Sequence, residues 1–325
     1  MKAGQLMNIL VTAPFSEPFR LRLRNTAKKY GCNIRFGADS SDFAGAEIII
    51  GDITPNQSEL CKNLRWLQIT SAGADKYIYG DFLPKNVILT NVTGAFGDGI
   101  SEYIIGTILA AFRGLFAYRR NQENRFWEDM HTERTLSGSR VLILGCGDIG
   151  SKTAVKLKNF GAETVGIRKN IRPAEGFDCI YDINSLDREL SLADIVIGCL
   201  PKTPLTYHLL DSRRISLMKS DGLIVNVGRG SLIDTEALTE ALSGGHLYGA
   251  ILDVFEQEPL PATSPLWTMY NVLITPHISG PSFGHSPHTE KLITDICEEN
   301  IGRYMNGKPL TNIVPPDLGY AYIEK

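Results

Sequence analysis

The sequence predicts an α/β protein made of two doubly wound parallel-sheet domains. Three observations carry this. Short apolar runs alternate with stretches of helical character over the first hundred residues, the rhythm of a parallel sheet with helices on its faces. The rhythm restarts at Arg140 and continues to Thr275. At the restart, Val141, Leu142, Ile143 and Leu144 run into Gly145, Gly147 and Gly150, which stand at the G-x-G-x-x-G spacing before a segment of helical character.

In chain order, residues 7–13 read as a strand, and residues 17–30 as a helix that stops at Gly31. Residues 33–36 and 47–51 read as strands, 56–63 as a helix, and 66–70 and 87–90 as further strands. Residues 101–118 form one long apolar helical run, expected to carry the chain between domains. Residues 121–139 are polar, with Phe126 and Trp127 among them. After the glycine-rich turn, a helix is expected over 151–160 and strands over 164–167, 193–200, 223–227, 248–254 and 272–275. Asp234 is a good N-cap for a helix to Ser243, which Gly244 and Gly245 end. A last helix over 290–305 stops at Gly307 and is placed to pack back on the first domain. The expected domains are therefore 1–101 with 290–325, and 102–289. Two crossing segments would hinge them over a cleft, and ligands of open α/β sheets bind in such crevices.

Composition narrows the function. With 325 residues the chain can bury two sizeable cores. A net charge of −3 suggests no nucleic-acid or membrane-surface partner. Arg20, Arg22 and Arg24 read as a solvated helix face. No segment approaches the length of a membrane span, and the apolar residues 7–11 lack a signal-peptide layout. Six scattered cysteines without a C-x-x-C pair indicate a reducing, cytoplasmic setting without disulfides or a zinc site.

The glycine turn points to a dinucleotide. Gly145 turns the chain out of its strand, Gly147 lets backbone approach a pyrophosphate, and Gly150 lets helix and strand pack closely. The free N–H groups of the helix N-terminus suit the phosphates. The fingerprint calls for an acidic residue about twenty positions on, at the end of the next strand, to bind the ribose 2′-hydroxyl. That strand reads E-T-V-G-I-R-K-N, with Glu163 at its far end and Arg168 and Lys169 where the acid belongs, Arg172 close behind. An arginine pairs with a 2′-phosphate that an aspartate would repel. NADP(H) is expected over NAD(H), with Arg168 and Lys169 on the phosphate. The alternative is a solvated basic loop that still accepts NAD(H).

Three further stretches stand at strand ends: I-V-N-V-G-R-G-S-L-I-D with Arg229, I-L-D-V-F-E-Q-E-P-L with Asp253, Glu256 and Glu258, and V-L-I-T-P-H-I-S-G with His277. An arginine, a carboxylate and a histidine can together reduce a 2-keto acid. The guanidinium holds the substrate carboxylate and polarises the ketone oxygen. The imidazolium protonates that oxygen as hydride reaches carbon. A neighbouring carboxylate orients the ring. Spacing alone does not bring the three together, and each has a structural alternative: a satisfied histidine, a turn arginine, an exposed glutamate. His285 and His288, in G-P-S-F-G-H-S-P-H, have no supporting metal ligands and read as a loop.

These motifs, with S-G-S-R-V-L-I-L-G-C-G-D-I-G and C-L-P-K-T-P-L-T, make the chain resemble the D-isomer-specific 2-hydroxyacid dehydrogenase family over nearly its whole length. The resemblance implies a flavodoxin-like substrate domain and a Rossmann cofactor domain. It implies Arg229 as substrate-binding residue, Glu258 as partner of the histidine, and His277 as acid/base. Besides Gly145 and Lys169, read from the glycine turn and the basic strand end, it places the cofactor at Gly147, Asp148, Ile149, Gly150, Arg168, Cys199, Leu200, Pro201, Thr206, Val227, Gly228, Arg229 and Asp253, the last next to the nicotinamide carboxamide. I-T-S-A-G-A-D-K-Y is similar to the family's substrate loop, so Ser71, Ala72 and Gly73 would offer backbone N–H groups to the carboxylate, alongside Arg229 and His277. G-D-G-I-S-E-Y, with Ser101 and Glu102, looks like the interdomain hinge. S-E-Y, the F-W-E around Trp127 and the basic strand end are similar to the glyoxylate/hydroxypyruvate reductase branch. The implied reaction interconverts a small 2-keto acid and a D-2-hydroxy acid. An NAD-linked phosphoglycerate or D-lactate dehydrogenase is an alternative, and a nucleotide-sensing binding protein another; chain length argues against an appended regulatory domain. The family commonly dimerises through the cofactor domain, and the apolar residues 103–116 offer either a homodimer surface or packing within the domain.

Overall fold

The computed structural model describes residues 6–37, 39–131, 133–316 and 319–321. The described residues divide into two compact units, one ending at Phe96 and resuming at Pro281, the other spanning Gly97–Gly280. The expected divisions lay a few residues later, at 101/102 and 289/290. The hinge-like stretch 97–103 belongs to a helix of the second unit.

The first unit contains β1 (Met7–Val11), α1 (Glu17–Lys29), β2 (Cys32–Phe36), α2 (Ser40–Gly45), β3 (Ile48–Ile50), α3 (Pro55–Leu60), β4 (Trp66–Gln68), α4 (Asp75–Tyr79) and β5 (Ile88–Thr90), and the C-terminal helix Pro287–Met305. Its strands are parallel in the order β2-β1-β3-β4-β5, the flavodoxin-like arrangement. The three isoleucines of β3 are fully buried, as expected of a parallel strand covered on both faces. Ile48 and Ile50 pack with Trp66, Leu23 of α1 and Ile293, Cys297 and Ile301 of the C-terminal helix. Ile49 faces the opposite layer with Phe43, Leu67 and Tyr77. The C-terminal helix thus supplies part of this unit's core, and Arg22 of α1 reaches across to Asp295 at 2.6 Å and to Glu298.

The second unit contains α5 (Gly97–Phe112), α6 (Leu115–Glu123), β6 (Arg140–Leu144), α7 (Asp148–Asn159), β7 (Glu163–Ile167), β8 (Cys179–Tyr181), α8 (Leu186–Leu192), β9 (Ile195–Gly198), α9 (Ser212–Leu217), β10 (Leu223–Asn226), α10 (Thr235–Ser243), β11 (Gly249–Leu252) and β12 (Val272–Ile274). All seven strands are parallel, in the order β12-β11-β10-β9-β6-β7-β8. This is the dinucleotide-binding order extended by one strand, and it reverses between β6 and β9, where such sheets open a crevice at their carboxyl ends. β9 and β10 are buried at every position.

Two expectations are corrected. The run 101–118 is not one helix. It breaks at Gly114, whose φ of 62° lies in the left-handed region, and α5 and α6 meet at a 62° bend. Apolar residues continue through the break, so hydrophobic pattern alone does not reveal it. Ile100, Ile104, Ile108 and Phe112, spaced by four, are buried along one face of α5. No single helix among the described residues is long and apolar enough to cross a membrane. The last helix begins at Pro287, earlier than expected, because Ser286 caps it by accepting from the Thr289 N–H at 3.2 Å. His288 therefore stands in a helical first turn, not in a loop, while His285 lies in the turn before it.

α8 and α9 are tied by Asp187, which accepts from Arg213 Nη1 at 2.7 Å and Arg214 Nε at 2.9 Å. Hydrogen bonds from Arg213 and then Arg214 hold its carboxyl down at about 2. A depressed folded-state value gives stability that is present above the unfolded value of about 3.9 and lost as pH falls through about 2. Asp187→Asn should therefore lower the melting temperature by roughly 1–3 °C at neutral pH. In thermal melts the gap from the parent should close between pH 4 and pH 2.

Candidate active site

The glycine turn lies at the carboxyl end of β6, beside the β6/β9 reversal. Gly145 has φ 109°, and a Cβ there would stand 3.0 Å from the Cys199 carbonyl oxygen. A Cβ on Gly150 would stand 1.9 Å from the Gly145 oxygen, so α7 crosses β6 at a distance only glycine allows. Gly147 differs: a Cβ there meets nothing within 4 Å, and the residue is exposed. Its missing side chain leaves open space directly at the N-terminus of α7, where the N–H groups of Asp148, Ile149 and Gly150 begin the helix. This cradle fits a pyrophosphate.

The loops beyond the next strands are stitched to this turn. Leu200 backbone N and O lie 2.9 and 2.7 Å from where a Gly228 Cβ would be. Val227 donates to the Gly198 oxygen at 3.1 Å. Thr206 turns its hydroxyl inward, donating to the Pro201 oxygen at 2.7 Å and accepting from Thr203 N–H at 2.9 Å, which closes the 201–206 loop. Beyond β7, Arg168 is partly exposed, with Nη1 3.4 Å from the Arg172 oxygen, and Lys169 is exposed. No acidic residue stands at this strand end. Burial pushes the neighbouring Cys146 thiol up to about 12, against the influence of Arg168.

Arg229, Glu258 and His277 follow β10, β11 and β12, three adjacent strands. His277 Nδ1 lies 2.8 Å from Glu258 Oε2. Glu258 Oε1 accepts from Phe255 N–H at 3.0 Å. Nδ1 facing a carboxylate carries the ring proton there and leaves Nε2 as the outward nitrogen. The Arg229 loop is braced by Asn226, whose Nδ2 donates to the Arg229 oxygen at 3.0 Å while Oδ1 accepts from Gly228 N–H at 3.2 Å. Gly230 then packs so tightly on Phe255 that a Cβ would stand 1.8 Å from its carbonyl carbon. The Arg229 loop thereby rests on the loop that carries Glu258.

His277 has φ 55°, a conformation that costs a residue with a Cβ roughly 1–2 kcal/mol. Asp253 holds it. The Asp253 carbonyl accepts from His277 N–H at 2.9 Å, and its carboxylate accepts from Ile278 N–H at 2.8 Å, Ser279 N–H at 2.9 Å and the Thr275 hydroxyl. Because Thr275 spends its proton on Asp253, the 2.7 Å contact between Thr275 and Tyr103 must have Tyr103 as donor. Burial pushes the Tyr103 hydroxyl up to about 12, with the Thr275 hydrogen bond opposing and the Asp253 charge adding. Asp253 is fully buried. Glu256 is engaged elsewhere: it meets His208 Nε2 at 2.6 Å and accepts from Thr235 N–H at 3.0 Å. Although burial opposes it, the hydrogen bonds from His208 and Thr235 keep the Glu256 carboxyl below its usual value.

In the first unit, Ser71, Ala72 and Gly73 follow β4 and are partly exposed. Their carbonyls accept, in order, from Val92 N–H at 3.3 Å, Asn91 Nδ2 at 2.7 Å and the Ser71 hydroxyl at 2.8 Å. Their N–H groups find no acceptor among the described residues. Three consecutive open N–H groups are donors suited to an anion. Asn91, Asn226, Thr275, Tyr103 and His208 were not identified as site residues from sequence. Asn226, Thr275 and Tyr103 lie inside motifs that were quoted for other residues, whereas Asn91 and His208 act through hydrogen bonds to distant residues that leave no local pattern. No group of three potential metal ligands occurs among the described residues.

Comparison with known proteins agrees with this architecture. Residues 105–279 match the family model described as D-isomer specific 2-hydroxyacid dehydrogenase, NAD binding domain. A glyoxylate reductase of Thermofilum pendens is 34% identical over 262 residues, covering 79% of this chain and 75% of that one. The crystal structure of a D-isomer specific 2-hydroxyacid dehydrogenase family protein from Aeromonas salmonicida superposes with a TM-score of 0.85 at 34% identity, covering 96% of this chain and 100% of that one. An NADPH-dependent glyoxylate/hydroxypyruvate reductase of Sinorhizobium meliloti, in complex with NADP and sulfate, superposes with a TM-score of 0.81 at 27% identity, covering 97% and 100%. The chain is an oxidoreductase that belongs to the D-isomer specific 2-hydroxyacid dehydrogenase family.

Proposed function

We propose that this chain reduces a small 2-keto acid such as glyoxylate or hydroxypyruvate to its D-2-hydroxy acid, with NADP(H) preferred over NAD(H). The observation that carries the reading is the His277–Glu258 pair at 2.8 Å, on the strand edge that also bears Arg229. Bound NADPH supplies the hydride. The chain's own residues do the rest. Arg229 binds the substrate carboxylate and polarises the ketone, and the open N–H groups of Ser71, Ala72 and Gly73 are the carboxylate-binding groups of the first unit. Glu258 keeps the His277 ring oriented, and Nε2 of the imidazolium gives its proton to the forming alkoxide. Asp253 acts through the loop it holds. The loops at 145–150, 199–201, 206 and 227–228 seat the cofactor, and Arg168 and Lys169 take its 2′-phosphate. The scattered cysteines of the sequence support a cytoplasmic setting.

His277→Ala should lower turnover by roughly 10²- to 10⁴-fold while NADPH still binds. The measurement is NADPH absorbance with glyoxylate, hydroxypyruvate, pyruvate and phenylpyruvate. Tight NADPH binding without turnover of any of them would overturn the enzymatic reading in favour of a nucleotide sensor. Preferred use of phosphohydroxypyruvate or of D-lactate with NAD(H) would replace the assignment with its NAD-linked alternatives.

The cofactor preference is tested by Arg168→Asp. It should reduce the NADPH-over-NADH ratio of kcat/KM by roughly 10- to 100-fold. A parent enzyme that already favours NADH would sink the preference.

We also propose that the protein is a homodimer joined through the second unit. Leu115 and Phe116 of α6, with Phe126, Trp127 and Met130 after it, are exposed on that unit, Trp127 fully. Such a concentration of large apolar side chains favours a partner surface. The double variant Phe126→Ser/Trp127→Ser should sediment as a monomer. If it and the parent sediment alike, this surface is not the interface.

A further inference from the structure

The open N–H groups of Ala72 and Gly73 share their peptide units with carbonyls that are tied from behind, the Ser71 oxygen by the Val92 N–H and the Ala72 oxygen by the Asn91 side chain. Asn91, one residue past β5, is 1% exposed. Its Nδ2 donates to the Ala72 oxygen at 2.7 Å, and its Oδ1 accepts from Thr93 N–H at 3.0 Å. The two contacts fix the amide's orientation: only oxygen can face the Thr93 N–H, so the amino group faces Ala72.

Asn91 is itself held firmly. Its N–H donates to the Asn312 oxygen at 3.1 Å, and its carbonyl accepts from Gln68 Nε2 at 3.0 Å. Gln68 is fully buried, and its Oε1 accepts from the Thr90 hydroxyl at 2.8 Å and from Asn300 Nδ2 at 2.9 Å. Asn300 belongs to the C-terminal helix. A bonded polar chain thus runs from that helix through the sheet to Ala72.

The peptide unit is planar, with C=O and N–H on opposite sides. Holding the Ala72 carbonyl inward therefore holds the Gly73 N–H outward. We propose that Asn91 is a positioning residue for substrate, setting the Ala72–Gly73 peptide so that its N–H, not its carbonyl oxygen, meets the incoming carboxylate. The proposal rests on the reading of Ser71, Ala72 and Gly73 as the carboxylate site. Aspartate at this position has the same shape and keeps the acceptor for Thr93, but it sets a carboxylate oxygen against the Ala72 oxygen. The peptide then rotates and presents an oxygen to the substrate. Alanine leaves the carbonyl unpaired but not repelled.

The test uses the full-length protein and the variants Asn91→Asp and Asn91→Ala, with glyoxylate as substrate and oxalate as the carboxylate probe. KM for glyoxylate should rise roughly 10- to 100-fold in Asn91→Asp and less in Asn91→Ala, while kcat changes less than about threefold and NADPH affinity, followed by fluorescence, stays at the parent value. Oxalate should shift the Gly73 amide resonance of the parent in ¹⁵N-labelled, NADP-saturated protein, and this response should vanish in Asn91→Asp. A parent Gly73 amide that ignores oxalate would overturn the carboxylate-site reading beneath the proposal. A parent amide that responds, with both variants keeping the parent KM and response, would overturn the role of Asn91 alone. Should Asn91→Asp not fold, Asn91→Ala carries the same KM-against-kcat comparison.

Discussion

The carboxylate of Asp253 holds the end of the second sheet in shape. It is fully buried and takes donors from Thr275, Ile278 and Ser279. A carboxylate offers about four acceptor sites, so most of its capacity goes into one turn of backbone. That turn contains His277 in a left-handed conformation. In a site of low dielectric such bonds are strong and directional, and a lost partner is costly. The energy spent on strain at His277 is offset where Asp253 collects its three donors. The imidazole is consequently aimed by groups that never touch it, with Glu258 fixing only its rotation about the side chain.

Parallel strands end on one edge, and that places every relevant loop of the second unit side by side. Adjacency alone would leave the loops loosely associated. The glycines draw them together. Gly145 admits the carbonyl of Cys199 at a distance tight for a Cβ, and Gly228 and Gly230 admit the backbone of Leu200 and Phe255 at distances a Cβ would forbid. Phe255 then donates to Glu258, and Glu258 meets His277. A continuous path of backbone contacts and hydrogen bonds therefore runs from the loop of β6 to the loop of β12. Gly147 stands apart, since its open face is turned away from this packing toward the N-terminus of α7.

Strands and loop motifs were legible in the sequence because each is a local pattern. The apolar runs of β6, β9 and β10 and the Asp234 cap, which accepts from Glu236 and Ala237 N–H groups, follow from neighbours in the chain. β8 and α8 were not: β8 is an edge strand with no fully buried residue, so it lacks the apolar run that marks β3, and the seven residues of α8 carry too little period to stand out. The break at Gly114 was hidden by the apolar residues on both sides of it. Spacing also said nothing of which carboxylate meets His277: Glu256 and Glu258 are two residues apart, yet one pairs with His208 and the other with His277. Asn91 and Ala72 are nineteen residues apart, a separation at which only the folded sheet makes them neighbours.

Taken separately, the two units offer an anion different chemistry. The second presents charged side chains, whose identity can be read from the chain. The first presents main-chain N–H groups, which every residue but proline has. For a backbone donor, recognition depends on which way the peptide faces, and that is decided by what holds its carbonyl. On the proposed reading, what would make 71–73 an anion site is the set of groups that hold its carbonyls, Asn91 foremost, rather than Ser71, Ala72 and Gly73 themselves. The same logic applies to Asp253 behind His277. In both units the groups that face outward are held by buried, hydrogen-bonded polar side chains one layer in. Changing such a side chain leaves an unpaired partner in the interior, so its effect reaches the surface as a change of direction and not as a change of charge.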